Sequence, residues 1–124
     1  FVIQADSHLD EAASPDLYEA ALARMANDRP DFVIDLGDTF MTGKHPSRES
    51  AARQYLAQRY YFGLVGRVAP LFLVLGNHDG EEIRRPGETG LAEWALEQRR
   101  RLFPNPVPDG FYSGNPDGRE DYYG

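Results

Sequence analysis

Apolar and polar positions along the chain sort into three short strand-like runs separated by stretches with helical spacing. Residues 1–5, "FVIQA", read as a strand that ends at Asp6. Residues 31–38, "DFVIDLGD", read as a second that runs into a glycine turn at Gly37, and residues 71–75, "LFLVL", are a third, unbroken apolar run. Between the first two, Ser14 as N-cap, Pro15 at the first helical position and Asp16 in the first turn mark a helix start. Leu17, Ala21 and Met25, with Tyr18 and Leu22 alongside, form its apolar stripe, and Asn27, Asp28 and Pro30 stop it. A second helix is expected from about Ser47 to Val65 with Ala52, Leu56 and Tyr60 on one face, its exit bracketed by Gly66 and Pro70. "TGLAEWALEQRRRLF" predicts a third, with Thr89 as N-cap. Residues 39–46 lack periodicity and read as a loop, and residues 104–124, rich in Pro, Gly, Asn and Asp, as a long loop or lid.

Strand and helix in alternation predict an α/β domain with a parallel sheet and right-handed crossovers. Three strands make half a sheet, so residues 1–124 are expected to be the N-terminal part of a single larger domain. The chain opens at Phe1, without a Met and directly in a strand, and the expectation is that upstream residues, with any signal peptide, have been removed. A hydrophobic content of 41% with 27% charged residues is that of a globular protein and not of a disordered one. No apolar run approaches the ~20 residues of a membrane-spanning helix. The net charge of −7, from 13 basic and 20 acidic residues, repels a phosphate backbone and makes nucleic acid an unfavoured partner. The same acidity suits a protein that concentrates cations. Cysteine is absent, which excludes disulfides, zinc ribbons and thiol nucleophiles. Compartment and oligomeric state are not legible here.

Ligands of such sheets bind beyond the carboxyl ends of the strands. After the first strand comes "ADSHLD" with Asp6 and His8, after the second "LGDTF" with Asp38, and after the third "GNHD" with Asn77, His78 and Asp79. Each strand delivers metal-competent side chains to one edge. Asp and His two apart can turn toward one ion, because alternate residues of an extended segment face the same way. A glycine before Asp38 and another before Asn77 let the backbone turn sharply there. Two divalent cations ~3.5–4 Å apart can clamp the attacking and leaving oxygens of a phosphoryl transfer, given a carboxylate to bridge them and imidazoles and neutral oxygens around it.

Asp-x-His, Gly-Asp and Gly-Asn-His-Asp, in this order and each after a predicted strand, resemble the first three motifs of the calcineurin-like metallophosphoesterases, over residues 1 to about 80. The resemblance implies an αββα sandwich, incomplete in this chain, and a hydrolase of phosphomonoesters or phosphodiesters acting on a small-molecule phosphate ester. It implies two divalent metal ions (Mn, Fe, Zn, Mg or Ni). Asp6 and His8 would ligate the first, Asp38 would bridge both, and Asn77 would bind the second. His78 would donate a proton to the leaving group or stabilise the transition state, Asp79 would orient His78, and a metal-bound hydroxide would attack. The family's later motifs, a histidine after a fourth strand and a Gly-His-x-His pair, have no match among the three histidines His8, His45 and His78. Met41 stands where the purple acid phosphatase branch has a tyrosine, which sets that branch aside.

The alternative function is a non-catalytic scaffold or binding module on the same fold, against which the intact Asn77-His78-Asp79 run argues. A nuclease of the same fold is disfavoured by the acidic charge. Asp31 and Asp35 read as solvent-facing or supporting residues, and His45 as an exposed loop histidine. Leu91, Trp94 and Leu102 read as core, Arg99, Arg100 and Arg101 as a solvated helix end favoured by the dipole, and Tyr112, Tyr122 and Tyr123 as packing on the rest of the domain.

Overall fold

Val, Ile and Phe lead the first two apolar runs and Leu the third, and three residues of each pair in register. In the computed structural model, which describes residues 1–9, 12–80 and 90–104, β1 (Val2–Gln4), β2 (Val33–Asp35) and β3 (Leu71–Leu73) form a parallel sheet in the order β1-β2-β3. Val2, Val33 and Leu71 lie side by side, as do Ile3, Ile34 and Phe72, and Gln4, Asp35 and Leu73. The strands are shorter than the apolar runs because the chain leaves the ladder early to build the loops at the carboxyl edge.

Helix α1 (Pro15–Asn27) starts as its cap residues require, with the Ser14 hydroxyl accepting from the Leu17 N–H at 3.5 Å. It ends at Asn27, after which Arg29 takes a left-handed φ of 48°. Helix α2 (Arg48–Gly66) opens on a reciprocal capping box between Ser47 and Ser50. Helix α3 (Leu91–Leu102) begins after Gly90, which makes no side-chain cap; Thr89, expected to cap it, lies outside the described residues, as do Tyr112, Tyr122 and Tyr123. The expected loop at residues 39–46 contains a 3-10 turn, Thr42–Lys44.

Two core clusters cover one face of the sheet. Leu22, Ala26, Val33, Val65 and Ala69 form the first, with Val2, Tyr18, Met25 and Leu71 packed against it. Phe40, Tyr55, Phe62, Leu73 and Phe103 form the second, joined by Trp94 and Leu102. With Leu91 also buried, the residues of α3 expected in the core are there. On the other face, Phe1, Phe32 and Phe72 form an aromatic row, and Phe1 and Ile3 stand exposed. One sheet lies among the described residues, and no helix among them is long and apolar enough to cross a membrane.

The α1 stripe holds at Tyr18, Leu22 and Met25 and is corrected at Leu17, which is 73% exposed while Ala26 is buried; the α2 stripe is corrected outright. In α2, Leu56 and Tyr60 are exposed, while the buried face runs through Ala51, Gln54, Tyr55, Gln58, Phe62 and Val65. Two glutamines occupy the centre of that inward face, so the apolar pattern alone points to the wrong side. The arginine run is corrected in part: Arg99 is buried, and only Arg100 and Arg101 are solvated. His45 is half-buried against Gln54 and not an exposed loop residue.

Candidate metal centre

Where the strands end, three loops meet. The loop after β1 is tied to the loop after β2 by the Asp6 N–H, which donates to the Gly37 carbonyl at 3.0 Å. Asp6 and His8 both hold left-handed backbone angles, φ 54° and 28°, and so do Asp38 and Met41 beyond β2, φ 53° and 50°. For a residue with a Cβ such a conformation costs of order 1–3 kcal/mol, and its clustering at one edge marks a place where geometry is held against local preference. Asp and His tolerate it better than most residues.

Glycine allows the second and third loops to cross. Gly37 has φ 98°, and a Cβ there would lie 2.0 Å from the Gly76 nitrogen. A Cβ on Gly76 would lie 2.2 Å from the Asp38 nitrogen and 2.3 Å from its Oδ1. The turn expected at Gly37 is therefore present. The requirement at Gly76 is for close backbone approach, because its φ is not in the left-handed range.

The crossing is locked by Asp79, which is 1% exposed. Its Oδ2 accepts from the N–H groups of Asp38 (3.0 Å) and Gly76 (2.8 Å), and its Oδ1 from those of Thr39 (2.8 Å) and Phe40 (2.7 Å). The carboxylate expected to orient the His78 ring is thus occupied by backbone groups of both loops. Burial pushes the Asp79 carboxyl above its ordinary range, and the four N–H groups pull against that shift. His78 is placed through its backbone: its N–H donates to Asp38 Oδ1 at 2.8 Å, and its carbonyl accepts from the Gly43 N–H at 3.0 Å. The Tyr55 hydroxyl donates to the Asp79 carbonyl at 3.3 Å.

Beneath the second loop sits Asp35, fully buried, which accepts from the Gly37 N–H (3.0 Å), the Gln4 amide (2.7 Å) and the Thr39 hydroxyl. Of the two readings of Asp35, support holds and solvent exposure does not. Burial raises its carboxyl, and the hydrogen bonds from Thr39, Gln4 and Gly37 oppose the shift.

Asp6, His8 and Asp38 come together: one ligand atom from each lies within 4.8 Å of the other two. His8 Nε2 is 3.3 Å from Asp6 Oδ1. Asn77 is exposed on the turn after β3, next to His78 and at the same edge. Two carboxylates and an imidazole that converge without a lysine or arginine among them fit a divalent cation, and oxygen and nitrogen donors of this kind suit Mn, Fe, Zn, Mg or Ni. Beside Asp6 and His8 opens a cavity of about 340 Å³ lined by Ser7, Ala12, Ala13, Ser14 and Tyr18.

The sequence reading missed the buried amides of Gln54 and Gln58 and the placing of Thr39. Their one signal is the spacing of the two glutamines, four apart on a helix and in line with Phe62 and Val65. A family model described as calcineurin-like phosphoesterase matches residues 1–122. No curated protein and no solved structure matches the chain significantly.

Proposed function

The chain belongs to the calcineurin-like phosphoesterases, and from that premise we propose that it serves a metal-dependent hydrolase of small-molecule phosphomonoesters or phosphodiesters, built on a dinuclear centre. What supports this reading is the convergence of Asp6, His8 and Asp38 within 4.8 Å. Asp6 and His8 would hold the first divalent cation, Asp38 both, and Asn77 the second. Bound there, the cations supply Lewis acidity and a water acidic enough to act as nucleophile near neutral pH. The cavity beside Asp6 and His8 gives the ester's organic portion room. His78 gives up the proton that the leaving oxygen needs, and Asp38 and Gly43 hold its backbone in place. Asp79 acts on His78 only through the turn that it locks.

The test is hydrolysis of p-nitrophenyl phosphate and bis(p-nitrophenyl) phosphate by the full-length protein, stripped with chelator and reloaded with Mn²⁺. Turnover of at least one ester that vanishes on stripping and returns on reloading is expected. Mn²⁺ binding with no turnover of either would leave a binding module on the same fold. His78→Ala keeps every backbone contact of the turn, so metal content should stay near normal while turnover falls by ~10²–10⁴. The loss should be smallest for nitrophenyl esters, whose leaving groups scarcely need a proton. Loss of metal along with activity would make His78 a ligand.

A further inference from the structure

We propose that Gln58, together with Gln54 one turn earlier on α2, is a positioning residue of the metal centre, holding the Asp6–His8 loop and the Asp38 loop at a fixed separation from behind. The inference rests on the reading of Asp6, His8 and Asp38 as metal ligands. Gln58 is fully buried, and each of its polar atoms is engaged. Its Nε2 donates to Ser7 Oγ at 3.0 Å and to the Thr39 carbonyl at 2.9 Å, and its Oε1 accepts from the Tyr18 hydroxyl at 3.1 Å. Ser7 stands between Asp6 and His8, and Thr39 follows Asp38. One amide therefore grips the residue next to every member of the converging set, while touching none of them.

Gln54 repeats the arrangement. The orientation of an amide is decided by its neighbours. In the orientation that faces donors to acceptors, Gln54 donates to the Phe40 carbonyl and to His45, and its oxygen accepts from the Leu9 N–H at 3.2 Å. Leu9 follows His8, and Phe40 follows Thr39. Residues four apart on a helix share a face, so α2 presents two amides that each bridge the same two loops. A buried amide is costly unless its hydrogen bonds are made. A helix that needed only to cover the sheet would place apolar side chains at both positions. The loops carry left-handed residues at Asp6, His8 and Asp38, and a local backbone preference that opposes the observed geometry calls for an external brace. The amides supply one.

The test uses the full-length protein and Mn²⁺ alone as probe, read by calorimetry and by the electron paramagnetic resonance spectrum of the bound ion. Ser7→Ala removes the hydroxyl that Gln58 holds and leaves the Gln58 bonds to Thr39 and Tyr18 intact. Outer groups that orient ligands typically contribute 10–100-fold in metal affinity; about tenfold is expected here, with a changed Mn²⁺ spectrum, while the chelated protein still unfolds cooperatively, its midpoint lowered only by the one hydrogen bond removed. Ser7→Thr, which keeps the hydroxyl, should bind like the parent. Gln58→Met should lose at least as much as Ser7→Ala, and the double variant should lose no more than Gln58→Met. Parent-like affinity and spectrum in Ser7→Ala would overturn the proposal, even if Gln58→Met proved too unstable to measure. A parent that binds no Mn²⁺ at Asp6, His8 and Asp38 would instead overturn the metal reading on which it stands.

Discussion

The two halves of the candidate centre are built differently. Beyond β2 and β3 the chain is locked from inside: a carboxylate with 1% exposure ties four N–H groups of two loops, and glycine backbones cross where no Cβ fits. Beyond β1, the Asp6 side chain is 65% exposed, and the ties of the loop include one backbone bond to Gly37 and the amides of α2. One half is tied together by a buried carboxylate; the other leaves its carboxylate open to solvent. In the centre proposed above, the Asp38 loop would keep its register without metal while Asp6 and His8 adjust on binding.

The largest effect that would break this contrast belongs to Asp79. Asp79→Ala strands four N–H groups that now share one carboxylate, and a loss of roughly 3 kcal/mol or more is expected from unfolding in urea without metal. Asp79→Asn should recover little, since its amide NH₂ would face two of the same donors. Parent-like stability in both variants would mean that the lock is not needed.

Gly76→Ala comes next. Its Cβ would meet Asp38 backbone and side chain at 2.2–2.3 Å, and the loops must part to admit it. A cost of ~1–3 kcal/mol, the usual scale of overpacking, should accompany weaker metal binding, because Asp38 moves with its loop.

The third prediction inverts the first two. Asp6→Gly and His8→Gly remove ligands but relieve left-handed strain, which offsets the greater freedom of glycine in the unfolded chain. Metal-free stability should therefore stay within about 1 kcal/mol of the parent while Mn²⁺ affinity collapses. Asp38→Asn should lower the loading of both ions, as the bridging role requires. Metal-free unfolding as costly in the β1 variants as in Asp79→Ala would erase the distinction between the halves.

Much of this was legible in the sequence, and the limits have physical causes. Strand positions, the Ser14 and Ser47 helix starts and the Asp-x-His, Gly-Asp and Gly-Asn-His-Asp set are local signals, written in consecutive residues. The inward face of α2 was not legible from its apolar positions, because Gln54 and Gln58 are buried by hydrogen bonds to the two loops and to Tyr18, and only their own four-residue spacing hints at it. The backbone bonds of Asp79 escaped for the same reason: the resemblance implies a role toward His78, and three of its four N–H donors come from about forty residues away in the chain. Arg99 opens a basic run that reads as a solvated helix end, and it is nonetheless interior.

The smallest effect expected is a pH dependence that belongs to the locked half. Burial raises the Asp35 carboxyl above its ordinary 3.8, against the pull of Thr39, Gln4 and Gly37. A carboxyl whose folded pKa lies above its unfolded one binds its proton more tightly in the native state. Its contribution to stability is thus full below pH 3.8 and is lost as pH rises through the folded value. Asp79 is raised by burial as well, so the two add with the same sign. Asp35→Asn keeps a carbonyl oxygen for the Gly37 N–H and the Thr39 hydroxyl, and a rotated Gln4 amide can accept from its new NH₂. Urea unfolding of the chelated protein between pH 4 and 7 should therefore show a shallower fall in stability with pH for Asp35→Asn than for the parent, with Asp79 supplying what slope remains. Parallel profiles would mean that Asp35 titrates alike in the folded and unfolded chain, and that its three hydrogen bonds cancel the cost of burying it. The locked half would then carry its interior charge without penalty, and the contrast with the β1 loop would rest on geometry alone.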